Sequence, residues 1–194
     1  MTGRVTALIL AGGRSSRFGR DKLAEPIDGR TMLDHVVDRV RDVATDVVVV
    51  TAAGASIHLP SDVEVVQDDR PFEGPLAGLG VGLRAVDPGV ERVIVVGGDM
   101  PTVVPAVLAR LVAALDRREA AMLADDTRER PLPMALRRSV ASPSVDRLLD
   151  DGERRLRALL QHLDVEVIPY ETWLVDDPAG ESLRDVDVPG DLPG

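Results

Sequence analysis

Short apolar runs, each closed by small or acidic residues and followed by a segment of helical period, recur along this chain. That rhythm constrains the fold more than any other feature. Residues 5–10 read VTALIL, with two glycines just after Ala11. A run without polar alternation suits a strand buried on both faces. Met32, Leu33, Val36, Val37, Val40 and Val43 then recur at helical spacing, with Asp34, Asp38, Arg39, Arg41 and Asp42 opposite them. Further strands are predicted over 47–50, 63–66 and 93–96. A helix is predicted over 75–86 despite Gly78, Gly80 and Gly82, which weaken it and allow close packing, and another on Val104, Val107, Leu108, Leu111, Val112 and Leu115. Weaker patterns predict strands at 120–124, 134–136 and 165–168 and helices at 142–149 and 153–163. The alternation predicts an α/β, Rossmann-like fold: a mostly parallel sheet flanked by helices on both faces. With 194 residues, 44% of them hydrophobic, residues 1–194 fit a single domain with one core.

Composition narrows the functional classes. The absence of cysteine removes disulfides, thiolate metal sites and cysteine nucleophiles, and suits a reducing compartment. A net charge of -10 repels polyanions, and two Phe, one Tyr and one Trp leave little on which to stack bases. Nucleic acid is therefore not an expected partner. The first apolar run is too short to cross a bilayer and lacks a typical cleavage site, so no membrane partner is expected and the expected setting is cytoplasmic.

Against that acidic background the segment LAGGRSSRFGRDK, residues 10–22, carries a local balance of +3. Its Lys22 is the only lysine, against 22 arginines. Lysine is a compact point charge on a flexible stem, suited to one crowded phosphate oxygen, whereas arginine forks its donors in a plane. Gly12, Gly13 and Gly19 allow the backbone to come close, so several N–H groups can converge on an anion, and Ser15 and Ser16 add hydroxyls. A small phosphorylated ligand fits this loop. The spacing is not that of a P-loop, and Gly78, Gly80 and Gly82 do not match the dinucleotide fingerprint.

The same loop resembles the opening signature of the nucleotidyltransferases with a MobA-like fold, most closely the molybdenum cofactor guanylyltransferases. Phe18 stands where that pattern usually has Met. Three later blocks resemble the family in order. Gly97-Gly98-Asp99-Met100-Pro101 follows an apolar strand. A strand-end aspartate serves as a helix cap or as a ligand for a magnesium that bridges nucleotide phosphates, and the loop's phosphate character together with the family's Asp-Met-Pro favours Mg2+. Asp68, with Asp69 as the alternative, precedes a Gly74-Pro75-Leu76-Ala77-Gly78 string like the family's own, which implies contacts to guanine or ribose. Asp185 and Asp187, in the closing block that ends at Leu192, stand where the family usually carries asparagines. One residue apart on an extended segment, they face one side and could share a cation, or form a solvated acidic tail. Residues 151–156 resemble the part of the guanylyltransferases that shapes the pterin side.

The resemblance implies transfer of GMP from GTP to the terminal phosphate of molybdopterin, the organic part of the molybdenum cofactor, with release of pyrophosphate. Its terms make Lys22 and Arg17 the catalytic charges on the phosphates. Leu10, Ala11, Gly12, Gly13, Lys22, Asp68, Gly74 and Asp99 bind the nucleotide, and Asp99, Asp185 and Asp187 hold the metal. The implied partners are GTP and molybdopterin, with room for contacts to molybdoenzymes or other cofactor-biosynthesis proteins. The enzymatic alternatives are a CTP-dependent cytidylyltransferase or another nucleotidyltransferase of small phosphorylated metabolites. The alternative of a different class is a nucleotide-binding regulator that tolerates loss of Asp99. His35, His58 and His162 lack ligand spacing. The tail over 176–194 is expected to be partly loose, with Tyr170 and Trp173 holding it to the sheet or, as the alternative use of their rings, stacking on the pterin.

Overall fold

The computed structural model describes residues 3–12, 23, 25–55, 57–68, 74–186 and 189–191. Its frame is a seven-stranded sheet in the order β5-β4-β1-β6-β8-β7-β9. The strands are β1 (Val5–Leu10), β4 (Asp46–Ala52), β5 (Val63–Asp68), β6 (Arg92–Gly97), β7 (Ala120–Ala124), β8 (Glu129–Arg137) and β9 (Val165–Ile168). A two-stranded hairpin, β2 (Pro26–Ile27) with β3 (Arg30–Thr31), stands apart. β8 runs antiparallel to both neighbours, and the remaining pairs in the large sheet are parallel. The predicted α/β architecture is the one observed.

The central strand shows why unbroken apolar runs were needed. Ala7 and Ile9 of β1 pack with Val49 and Ile94 in one core, while Leu8 packs with Val48 and Val95 in the other. Helices α1 (Met32–Arg41), α3 (Pro105–Ala114) and the short α6 (Tyr170–Trp173) contribute to the first core. α2 (Pro75–Ala85), α4 (Arg138–Asp150) and α5 (Leu156–Leu160) contribute to the second. α1 begins with a reciprocal cap: Thr31 Oγ1 accepts the Asp34 N–H at 3.1 Å, and the Asp34 carboxylate accepts the Thr31 N–H at 3.0 Å. The glycines of α2 do allow close packing. A methyl at Gly82 would lie 3.0 Å from Val50 Cγ2, and one at Gly80 would lie 3.1 Å from Leu149 Cδ1.

Several local expectations are corrected. The helix predicted over 153–163 forms only as Leu156–Leu160. Upstream, the Glu153 carboxylate accepts the Arg154 and Arg155 N–H groups, and the Arg154 carbonyl accepts the Leu76 N–H, so this backbone is bonded outside the helix. α4 starts four residues earlier than predicted, where the Glu91 carboxylate receives the Ser139 N–H and hydroxyl; Pro143 lies within the helix. β8 is longer than the predicted 134–136 because its prolines escape the ladder. Pairing with β7 jumps from Met134 to Arg130, passing over Pro131 and Pro133. The tail is bonded to the body as far as Val186, as the site geometry below makes explicit. Among the described residues, no helix is long and apolar enough to cross a membrane.

Candidate functional site

The order of connections places a crevice before any side chain is considered. From β1 the chain crosses by α1 to β4 and then β5, and α2 brings it back on the opposite face to β6, which pairs with β1 on its other edge. The connection after β1 turns along the sheet toward β4 and the connection after β6 turns the other way toward β7, so the chain parts at the carboxyl ends of these neighbouring strands, where open α/β sheets receive ligands.

Backbone fills that crevice. The Ala11 N–H donates to the Val50 carbonyl at 2.8 Å, and the Gly98 N–H donates to the Leu10 carbonyl at 3.0 Å. Gly12 runs against the backbone of the next strand, since a methyl there would meet Ala52 N at 3.6 Å. Gly98 is pressed between Ala11 and Leu23, its notional methyl 3.4 Å from Ala11 Cα and 3.3 Å from Leu23 Cδ2. Leu23, the residue after the basic segment in sequence, thus stands beside the residue that precedes Asp99. A methyl at Gly97 would collide with Asp99 Oδ1; glycine there makes room for the half-buried carboxylate to fold back over the strand end.

The other expected residues distribute along the same edge. Asp68 ends β5, in register with Ala52 of β4, and its carbonyl accepts the Ala53 N–H at 3.2 Å. Three strand spacings separate β5 from β6, about 14 Å, so Asp68 and Asp99 suit opposite ends of one extended ligand. Gly74 caps α2 with φ of 96°, and a methyl there would lie 2.8 Å from the Arg154 carbonyl oxygen. This contact joins the Gly-Pro-Leu-Ala-Gly block to the 151–156 block. Asp185 reaches the edge from the tail: the adjacent Val186 donates its N–H to the Asp99 carbonyl at 2.9 Å. Val186 packs with Ile27, Met32 and Leu23 in a small third core. Gly13, Arg17, Lys22, Asp69 and Asp187 lie outside the described residues.

Sequence reasoning missed the side-chain network on the β8 side. Arg130, at the start of an antiparallel strand, emerges at the same edge as the carboxyl ends of β6 and β7. Its guanidinium donates to Asp125 at 3.3 Å and to Asp185 at 3.2 Å. The Thr127 hydroxyl and N–H, with the Arg128 N–H and Arg130, hold the Asp125 carboxyl far below the usual carboxylate range. Nearby, the Arg155 guanidinium and the N–H groups of Arg154 and Arg155 push Glu153 down to about 2. Trp173 is fully buried and its indole N–H donates to the Ala124 carbonyl at 2.8 Å, so this ring is structural and cannot stack on a ligand. Tyr170 meets it edge-on.

Among the described residues no group of three or more His, Cys, Asp or Glu side chains could hold an ion. Magnesium usually keeps its waters and takes one or two carboxylates plus substrate phosphates, and Asp99 at the crevice fits that mode. Asp185 stands close by through Val186, with its carboxylate drawn to Arg130.

Comparison with known proteins agrees with this geometry. The family described as MobA-like NTP transferase domain matches residues 7–167. A probable molybdenum cofactor guanylyltransferase of Chloroflexus aggregans is 32% identical over 97% of this chain and 91% of its own length. A molybdenum cofactor guanylyltransferase of Rhizobium leguminosarum bv. trifolii is 32% identical over 97% and 90% respectively. Among solved structures, molybdopterin-guanine dinucleotide biosynthesis protein A of Archaeoglobus fulgidus shares the fold with a TM-score of 0.79 and 24% identity, covering 96% of this chain and 94% of that one. A Mycobacterium tuberculosis protein solved in complex with manganese shares it with a TM-score of 0.65 and 23% identity, covering 86% and 88%. Site, family match and full-length relatives lead to one assignment: the chain is a nucleotidyltransferase and belongs to the MobA-like NTP transferase family.

Proposed function

We propose that this enzyme transfers GMP from GTP to the terminal phosphate of molybdopterin, forming the guanine dinucleotide cofactor and releasing pyrophosphate. The observation that carries the reading is 32% identity to guanylyltransferases along 97% of the chain, which includes the acceptor-side blocks as well as the opening loop.

In this reading the acceptor phosphate attacks the α-phosphorus in line and pyrophosphate leaves. Such a step needs placement and charge neutralisation and no covalent intermediate. The backbone at Leu10, Ala11, Gly12 and Gly13 receives the nucleotide. Lys22 and Arg17 supply positive charge to the phosphates, and Asp68 and Gly74 set the base and ribose end. Asp99 holds Mg2+, with Asp185 and Asp187 of the closing segment as the further acidic ligands. Bound there, the ion neutralises charge that builds on the phosphate oxygens. The acceptor enters from the side of β8, where Arg130 and residues 151–156 lie. A cytoplasmic setting follows for an enzyme of soluble phosphorylated substrates.

Purified protein supplied with molybdopterin, Mg2+ and either GTP or CTP tests the reading. GTP is expected to yield pyrophosphate and the guanine dinucleotide. Turnover with CTP and none with GTP would overturn the choice of base and leave the family intact.

A further inference from the structure

We propose that Asp177 is a positioning residue for Asp99, acting through the closing segment of the chain. The proposal rests on Asp99 serving as the nucleotide-side carboxylate.

Asp177 is 3% exposed, an expensive place for a carboxylate unless both oxygens are bonded. They are: Oδ1 accepts the Glu181 N–H at 3.1 Å and Oδ2 accepts the Ser182 N–H at 2.7 Å, across a turn in which Gly180 has φ of 68°. The turn so folded delivers its next residues to the loop between β6 and α3. The fully buried Ser182 hydroxyl accepts the Val104 N–H at 3.1 Å, and the Thr102 hydroxyl donates to the Glu181 carbonyl at 3.1 Å. Four residues beyond Ser182, Val186 donates to the Asp99 carbonyl. The loop carrying Asp99 is therefore pinned at three places by the tail, two of them made by the turn that Asp177 shapes and the third four residues beyond it. A carboxylate accepts both N–H groups at once, whereas an asparagine would turn its NH2 toward one of them.

Loosening the turn would leave Asp99 in place on average but less fixed, so ion binding should suffer before chemistry does. Outer partners of metal ligands typically govern affinity in this way. The test uses the full chain with GTP and Mn2+ as the probe, bound ion being read by electron paramagnetic resonance and amide exchange by mass spectrometry. Asp177→Ala should speed exchange at Val186 and weaken Mn2+ binding about tenfold or more. At saturating ion, kcat should stay within about twofold, a split that a general loss of folding would not give. Asp177→Asn should fall between. Ser182→Ala, which leaves the buried carboxylate satisfied and removes the Val104 staple, should weaken Mn2+ binding in the same direction.

Glu91→Ala serves as control. It removes the acceptor for Ser139 where β6 begins, at the opposite edge of the sheet, and should lower the thermal midpoint without changing Mn2+ affinity. Unchanged Mn2+ affinity in the Asp177 and Ser182 variants, beside a weakened Asp99→Asn, would overturn the positioning role alone. Unchanged affinity in Asp99→Asn as well would overturn the reading of Asp99 and the proposal with it.

Discussion

The two halves of the edge at the carboxyl ends of the parallel strands are made of different material. On the side of β5, β4, β1 and β6 the described surface is mostly main chain: the Leu10 carbonyl, the Ala11 and Gly98 N–H groups, glycines at 12 and 98 set against neighbouring backbone, and Gly97 beneath the Asp99 carboxylate. On the side of β8, β7, β9 and the tail it is charged side chains, with Arg130 between Asp125 and Asp185 and Arg155 on Glu153. A surface of main chain carries no titratable group, and at Gly97 and Gly98 it leaves little room for added atoms. A surface of ion pairs answers to pH, salt and substitution. In the proposed function the first half receives the triphosphate and the second the acceptor.

The sharpest challenge to this contrast is the Asp99 carboxylate, which with Asp68 interrupts the main-chain side. Asp99→Asn keeps the size of the side chain and should lower kcat by roughly a hundredfold to a thousandfold, the usual cost of removing a group that stabilises developing charge. Lys22→Ala should fall in the same range. Pyrophosphate release at saturating GTP measures both, and the thermal midpoint should hardly move. Activity within an order of magnitude of the unmodified enzyme would mean that the carboxylate is a loop cap and the main chain alone carries the phosphates.

A smaller effect tests whether that side really excludes added atoms. Gly74→Ala must hold a side chain at φ of 96° and place its methyl 2.8 Å from the Arg154 carbonyl oxygen, whereas Gly29→Ala meets nothing within 4 Å at φ of 80°. Left-handed strain costs on the order of 1–3 kcal/mol at either place. Gly74→Ala should cost more than Gly29→Ala in urea unfolding, and it alone should raise the KM for nucleotide. Equal costs would show that backbone conformation, rather than the approach of residue 154, makes glycine necessary at the start of α2.

What could be read in the sequence follows the same division. Strands buried on both faces are written locally, so β1, β4 and β6 and the placement of Leu10, Ala11, Gly12 and Asp99 at their ends were legible from apolar runs and the residues that stop them. Residues that act across long separations were not. Arg130 finds Asp185 from 55 positions away, and Ser182 caps Val104 across 78, with no spacing in the chain to announce either. The β2–β3 hairpin has two residues per strand, too short for a period to register. The 153–163 pattern of leucines was real, but helix formation over Glu153 and Arg154 lost to the bonds of the Glu153 carboxylate with the next two N–H groups and to the bond of the Arg154 carbonyl with Leu76 of α2, which only the folded chain can supply. Lys22, Arg17 and Asp187, which drew notice on sequence grounds, remain proposals carried by the resemblance.

The smallest expected effect separates the halves by pH. Glu153 titrates at about 2 in the folded protein against an ordinary 4.5, and its bond to Arg155 is the largest cause. A carboxyl with a lowered folded value stabilises the fold fully above its unfolded value, and that contribution is lost as pH falls through the folded one. Arg155→Ala leaves the two backbone N–H donors in place and so raises the folded value only part of the way. The variant should unfold at slightly lower urea than the parent near neutral pH. The gap should begin to close below pH 4.5 and vanish toward pH 2, and it should shrink in high salt because the Arg155 side chain is 80% exposed. Gly82→Ala, which crowds Val50 and Leu8 beneath α2, should instead show a loss that neither pH nor salt alters over the same range. If both variants respond alike to acid, the division into a main-chain half and a charged half does not describe how this edge is held.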